Sequence, residues 1–175
     1  MSAAVAADPG PPVAEVWNVV EAVWESLLEA WPSPAEPLAV EADWLTAVVS
    51  VDGDWSGAVA LSCPPRTALH MSRTMLDLAW DDPEPEPDDI ADAVREVVNV
   101  LGGNVKALVA GARALGPPVL AVGRPNLEGN LVAELHVGWP GHAARVGVWR
   151  GHPRPLTHTN TPAAPPAGRS AHSQN

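Results

Sequence analysis

The stretch 88–113, DDIADAVREVVNVLGGNVKALVAGAR, holds the residues whose types and spacing could do chemistry. Ile90, Val94, Val97, Leu101, Val105, Leu108 and Ala112 recur at the helical period and form one apolar stripe. On the far side of the same wheel lies a second stripe of Asp92, Glu96, Asn99, Gly103 and Lys106. An ordinary solvated face carries Glu, Lys and Arg freely. This one sets a carboxylate and a carboxamide one turn apart and follows them with Gly102 and Gly103. The carboxylate only accepts hydrogen bonds, whereas the carboxamide both donates and accepts. Each glycine inside a helix costs about 1 kcal/mol relative to alanine, which points to something coming close to the backbone there. A packing glycine pair beside two surface polar residues gives the same string, and the pattern alone favours that plainer reading. Lys106 is the only lysine among the ten basic residues, and a surface lysine is its plainest description.

Other chemistries find less support. The chain has no P-loop string, no Ser/His/Asp order and no Rossmann glycine pattern. Its single cysteine, Cys63, excludes an internal disulfide and any multi-Cys metal site. Eight tryptophans with no Phe and no Tyr exclude tyrosine chemistry and leave indole to do the aromatic packing. His70, His136 and His142 fall on separate expected elements and read as core or surface histidines. His152, His158 and His172 are irregularly spaced near the C-terminus and read as solvated, so no metal site is expected. The net charge of −11 repels phosphate backbones and anionic lipid, which argues against nucleic acid or a membrane surface as partner. No run approaches a membrane-spanning length, and the first residues lack the basic start of a signal peptide. A soluble, cytoplasmic protein is expected.

The helix needs a scaffold, and the twenty prolines outline it. Proline is excluded from helix interiors and central strands, so the proline-free blocks mark the elements. Residues 13–31 carry apolar side chains at helical spacing, with Trp17, Trp24 and Trp31 on one ridge expected in the core. Val48, Val49 and Val51 lead into the turn Asp52-Gly53-Asp54, and 55–62 return as the paired strand. A second helix is expected over 66–80, then an acidic proline-rich connector at 81–87. Asp88 and Asp89 offer the cap and first-turn acids of the long helix, which should run to about Arg113. Strands follow at 119–122, 131–137 and up to about Arg150. A helix followed by strands thus occurs twice. The expected fold is α+β: a single domain over 13–150 with an antiparallel sheet and helices packed on one face. The ends, 1–12 and 151–175, are rich in Ala, Pro, Thr and Ser and are expected to be disordered.

At the long helix the sequence resembles the CheX family, of the CheC/CheX/FliY group of chemotaxis phosphatases. The match is Asp92-x-x-x-Glu96-x-x-Asn99, continued by Gly103-Asn104-x-Lys106. It extends to Pro118-Val119-Leu120-Ala121-Val122-Gly123, similar to the family's proline-initiated strand ending in glycine. Upstream, the segment from Gly53 to Leu61 and the helix after it look like the family's first half. The resemblance covers about 13–150. It departs from the family in a shorter interval between Asn99 and Pro118 and in a more proline-rich connector at 81–89.

This resemblance implies a phosphatase that hydrolyses the aspartyl phosphate of a response-regulator receiver domain such as CheY. It implies no cofactor of its own, because the receiver brings Mg2+, a lysine and the phosphorylated carboxylate. Asn99 would hold the attacking water in line with phosphorus, and Glu96 would pair with the receiver's lysine. A carboxylate in the water-holding place would repel the phosphoryl group, so Glu96 is not expected to act as base. Asp92, Gly103, Asn104 and Lys106 would bind the partner, with Gly103 letting its loop approach and Asp92 at the rim. A weaker echo lies in the first helix, where Glu15 and Asn18 repeat the Glu96/Asn99 spacing as a degenerate second site or by chance. The alternative function is a non-catalytic adaptor that binds receivers on the same fold. A small-molecule domain has less support, since no polar cluster points into the expected core. The resemblance permits a homodimer; the composition does not require one.

Overall fold

The computed structural model describes residues 9–151. The expected disorder of the two ends, with the terminal histidines, falls outside the described residues except at 9–12 and 151. Pro11 is buried, and the Pro12 carbonyl accepts hydrogen bonds from the Glu15 and Val16 amides at 3.0 and 3.1 Å. The chain therefore enters helix α1 (Val13–Leu28) from packed residues.

Helix α1 buries Val16, Val20, Trp24 and Leu28 of the apolar spacing, with Val19 and Val23 beside them, while Trp17 and Leu27 are partly buried and Val13 is exposed. It stops three residues early, because Glu29 adopts a left-handed conformation with φ of 50°. Trp31 is thereby taken off the ridge and is 77% exposed, against the expectation of core packing. Trp24 is fully buried and meets Trp139 edge to face at 5.4 Å.

A two-residue strand β1 (Ser33–Pro34) precedes the hairpin of β2 (Leu45–Gly53) and β3 (Gly57–Cys63), which turns where Asp52-Gly53-Asp54 predicted. Helix α2 (Pro65–Met75) is shorter than the expected 66–80, because Asp77 turns left-handed with φ of 53°. Helix α3 (Pro87–Leu108) opens on proline with Glu86, not Asp88, at the cap position. The Asp89 carboxylate accepts the Glu86 amide at 3.3 Å. The helix also ends before Arg113. Gly111, with φ of 78°, turns the chain into β4 (Ala112–Leu115), and the Arg113 guanidinium donates to both Asp54 carboxylate oxygens at 2.8 Å. Strands β5 (Val119–Val122), β6 (Asn130–Trp139) and β7 (His142–Arg150) complete the fold.

All pairings are antiparallel, in the order β1-β6-β7-β3-β2-β4, with β5 alongside the other end of β2. One sheet face, including Ala47, Val49, Val51, Val59, Leu61, Val146 and Val148, forms the core with the helices. This is the α+β arrangement that the sequence predicts, with the helix-plus-strands order occurring twice.

On β6 and β7, the half-buried Glu134 joins two partners. Its carboxylate takes Arg145 at 2.6 Å and His136 Nε2 at 2.9 Å. The Leu38 amide donates to His136 Nδ1 at 3.0 Å, which leaves Nε2 as the protonated nitrogen. Burial pushes the Glu134 carboxyl up, but Arg145 and then His136 outweigh it and hold the group below its ordinary value. A depressed folded value contributes stability that is present above the unfolded value and is lost as pH falls through the folded one. Glu134→Gln is therefore expected to lower stability at pH 7, with the deficit shrinking below about pH 4. Denaturant unfolding from pH 7 to pH 3 checks this, and parallel curves for the two proteins would contradict it.

Candidate functional site

Helix α3 packs against α1, α2 and the sheet with Val94, Val97, Val98, Leu101 and Val105 buried. That seating fixes the opposite face. Asp92 and Glu96 are exposed there, and Asn99, Gly103 and Lys106 are half-buried, while the exposed Asn104 stands about 100° round the helix from Gly103. The helix thus brings Asp92, Glu96, Asn99, Gly103 and Lys106 to one surface, and leaves Gly102 in the core.

Their partners separate them. Asp92 is in an ion pair with Arg95 at 2.8 Å, one turn along. Asn104 donates from Nδ2 to the Val100 carbonyl at 2.8 Å, which occupies its amide within the helix. Lys106 sits in the last turn, where a cation complements the helix dipole. Among the described residues, no side-chain hydrogen bond or ion pair engages Glu96 or Asn99.

The glycine pair divides in the same way. A methyl group on Gly102 would overlap Val49 Cγ2 and lie 3.1 Å from Leu115 Cδ1, so Gly102 lets α3 rest on β2. A methyl group on Gly103 would meet nothing within 4 Å. The plainer packing reading therefore accounts for Gly102 alone. Gly103 sits beside Asn99 on a face that the protein's own packing leaves open.

Glu15 and Asn18 are both exposed on α1, which packs against α3. Ala22 stands in the echo where α3 has Gly103, and Glu21 where it has Gly102. The echo therefore lacks both glycines.

One group was not legible as a group. His70 on α2 and His142 at the start of β7 do lie on separate elements, yet their rings stack at 4.0 Å with planes 10° apart. Period and spacing within one element carry no sign of such a pairing. Cys63 is buried, which pushes its thiol up to about 12 and keeps it from acting as a nucleophile near neutral pH. Among the described residues, no group of three or more His, Cys, Asp and Glu is placed to hold a metal ion, and no helix is long and apolar enough to cross a membrane.

Comparison with known proteins agrees with this architecture. The sequence model of the family described as chemotaxis phosphatase CheX matches residues 45–127, from β2 through α3 to the loop after β5. No curated protein matches the chain by sequence. Among solved structures, chemotaxis protein CheX from Vibrio vulnificus superposes with a TM-score of 0.64 at 17% identity, covering 79% of this chain and 95% of that one. A CheX from Desulfovibrio desulfuricans gives 0.64 at 18% identity, with 79% and 98% covered. The CheX–CheY–BeF3–Mg2+ complex from Borrelia burgdorferi gives 0.59 at 16% identity, with 80% and 97% covered. The chain thus has the fold of CheX proteins, and just under half of it, residues 45–127, matches the CheX family model.

Proposed function

We propose that this protein hydrolyses the aspartyl phosphate of a phosphorylated response-regulator receiver domain, with α3 inserted against the receiver's phosphorylation site. The observation that carries the proposal is the unpartnered pair Glu96 and Asn99 beside the open Gly103. The family match and a neighbour that is a CheX in complex with CheY support the same partner.

The receiver supplies Mg2+, which neutralises charge on the phosphoryl oxygens. What the receiver lacks is a positioned nucleophile, and Asn99 supplies that. Its carbonyl accepts a hydrogen bond from the water and its NH2 donates one to the water oxygen or to a phosphoryl oxygen, so the oxygen is held in line with phosphorus. A half-buried amide with no other partner needs no hydrogen bond broken before it does this. Glu96, one turn away and exposed, pairs with the receiver's lysine and fixes the register of the inserted helix. Gly103 admits the receiver's loop close to the α3 backbone. Asp92, Asn104 and Lys106 lie at the rim, where Asp92 and Asn104 are held by Arg95 and Val100 rather than aimed outward.

Glu96→Ala tests the docking half of this reading. The charge pair exists before and during the reaction, so its loss weakens receiver binding as well as turnover. The difference from the unsubstituted protein should shrink as salt rises from about 50 mM to about 500 mM, because the pair is screened. Receiver affinity and phosphate-release rate measured across that range check it. A deficit that does not change with salt would remove the ion-pair role from Glu96.

A further inference from the structure

On the outer side of α2, Arg66, Leu69, His70, Trp80, Glu84 and His142 enclose a pocket of about 380 Å³. Its wall is a connector held in place. Arg73 donates to the carbonyls of Trp80, Asp82 and Pro83 at 3.0 to 3.4 Å, and its guanidinium lies 5.5 Å from the Trp80 ring. Trp80 itself is 89% exposed, so burial is not what keeps this indole there.

The charged groups in the pocket are unequal. Arg95, Arg113 and Arg145 each have a carboxylate partner, and Arg73 is committed to the connector. Arg66, like Arg150 at the end of β7, has no side-chain hydrogen bond or ion pair among the described residues. Beside it the imidazoles of His70 and His142 stack face to face, and Thr67 Oγ1 lies 3.5 Å from His142 Nδ1. Two imidazoles stacked so closely do not both carry charge unless an anion lies against them.

We propose that this pocket binds a small molecule with one anionic end and a flat apolar body. The anionic end lies between Arg66 and the histidine pair, and the flat part rests on Leu69 and Trp80. Size and lining fit a small-molecule site: a concave space, apolar walls and a few polar groups at one end. Glu84 opposes a second negative charge at the connector side and offers an acceptor to a hydroxyl or amine of the ligand. This site is separate from the Glu96/Asn99 face, and it stands whatever that face does.

Binding should also be linked to protons. Burial lowers His70, and burial, His70 and then Arg66 lower His142, so the empty pair is neutral near pH 7. The other charged groups facing it are Arg73 on α2, Glu84 on the connector and Glu29 after α1. An anion favours the protonated imidazoles, so binding takes up protons and tightens as pH falls.

The probe is 2-naphthalenesulfonate, which carries one charge that does not titrate between pH 5.5 and 7.5. Calorimetry with the full chain is expected to show one saturable site, about threefold or more tighter at pH 5.5 than at pH 7.5. Arg66→Ala should weaken it by about tenfold at either pH, the worth of one charge-assisted hydrogen bond. Trp80→Ala should weaken it several-fold while sulfate, which has no flat body, binds the unsubstituted protein and this variant alike. Both side chains are exposed, and unchanged melting of the variants verifies that they fold. Equal affinity in Arg66→Ala and the unsubstituted protein, or no saturable binding at pH 5.5, would overturn the proposal.

Discussion

Replacing Asn99 by alanine is expected to lower the maximal rate of receiver dephosphorylation by about 10² or more while leaving receiver affinity nearly unchanged. The substitution removes the group that holds the water and leaves the docking surface in place. Stability should hardly move, since the Asn99 amide makes no hydrogen bond among the described residues and is only half-buried. Asn99→Asp is the sharper variant. It is almost the same size, but it places negative charge beside a phosphoryl group and loses a donor, so it should be as slow as the alanine. Asn18→Ala is the matched control on α1 and should stay within about twofold, well under the tenfold that 1.4 kcal/mol produces. Single-turnover phosphate release, with binding measured separately, distinguishes these outcomes. A collapse in the Asn18 variant would make α1 a second working site.

The second large effect separates two adjacent glycines. Gly102→Ala is expected to destabilise the fold by about 1–3 kcal/mol, because the new methyl overlaps the stiff, fully buried Val49 side chain. Gly103→Ala should do the reverse. With open space around its Cβ, it gains helix propensity and stabilises the fold by about 0.5–1 kcal/mol. The same methyl should stand in the way of a receiver loop and weaken receiver binding by about tenfold or more. A variant that is more stable yet binds less well places the cost of Gly103 outside the molecule. Denaturant unfolding of both variants and receiver titration of the second measure this. A Gly103 variant that binds normally would show that no partner backbone comes close there.

Much of this architecture is legible in the residues, for reasons of period. The 3.6-residue stripe of α3 places Val94 to Val105 inward and Glu96 and Asn99 outward, and the structure agrees at each of them. The β2–β3 hairpin follows from its turn residues in the same way. The errors lie where local signals are weak. Helices α1, α2 and α3 all end earlier than their apolar spacing indicates, because Glu29 and Asp77 turn left-handed and Val109 turns extended. None of those three is glycine, so composition gives no stop signal. Trp31 leaves the core as a result. The His70–His142 stack depends on a contact between distant segments, and only the folded arrangement reveals it. Gly102 and Gly103 look identical in the string. What tells them apart is Val49, more than fifty residues upstream.

The most direct test of the central claim is phosphate release from a chemically phosphorylated CheY-type receiver domain, with Mg2+ present, with and without this protein. Release is expected to be faster than the receiver shows alone, rising to a plateau as the receiver is varied. Each molecule of this protein should release many phosphates. A receiver that binds this chain and loses phosphate at its own unassisted rate would contradict the account and make the protein a receiver-binding adaptor.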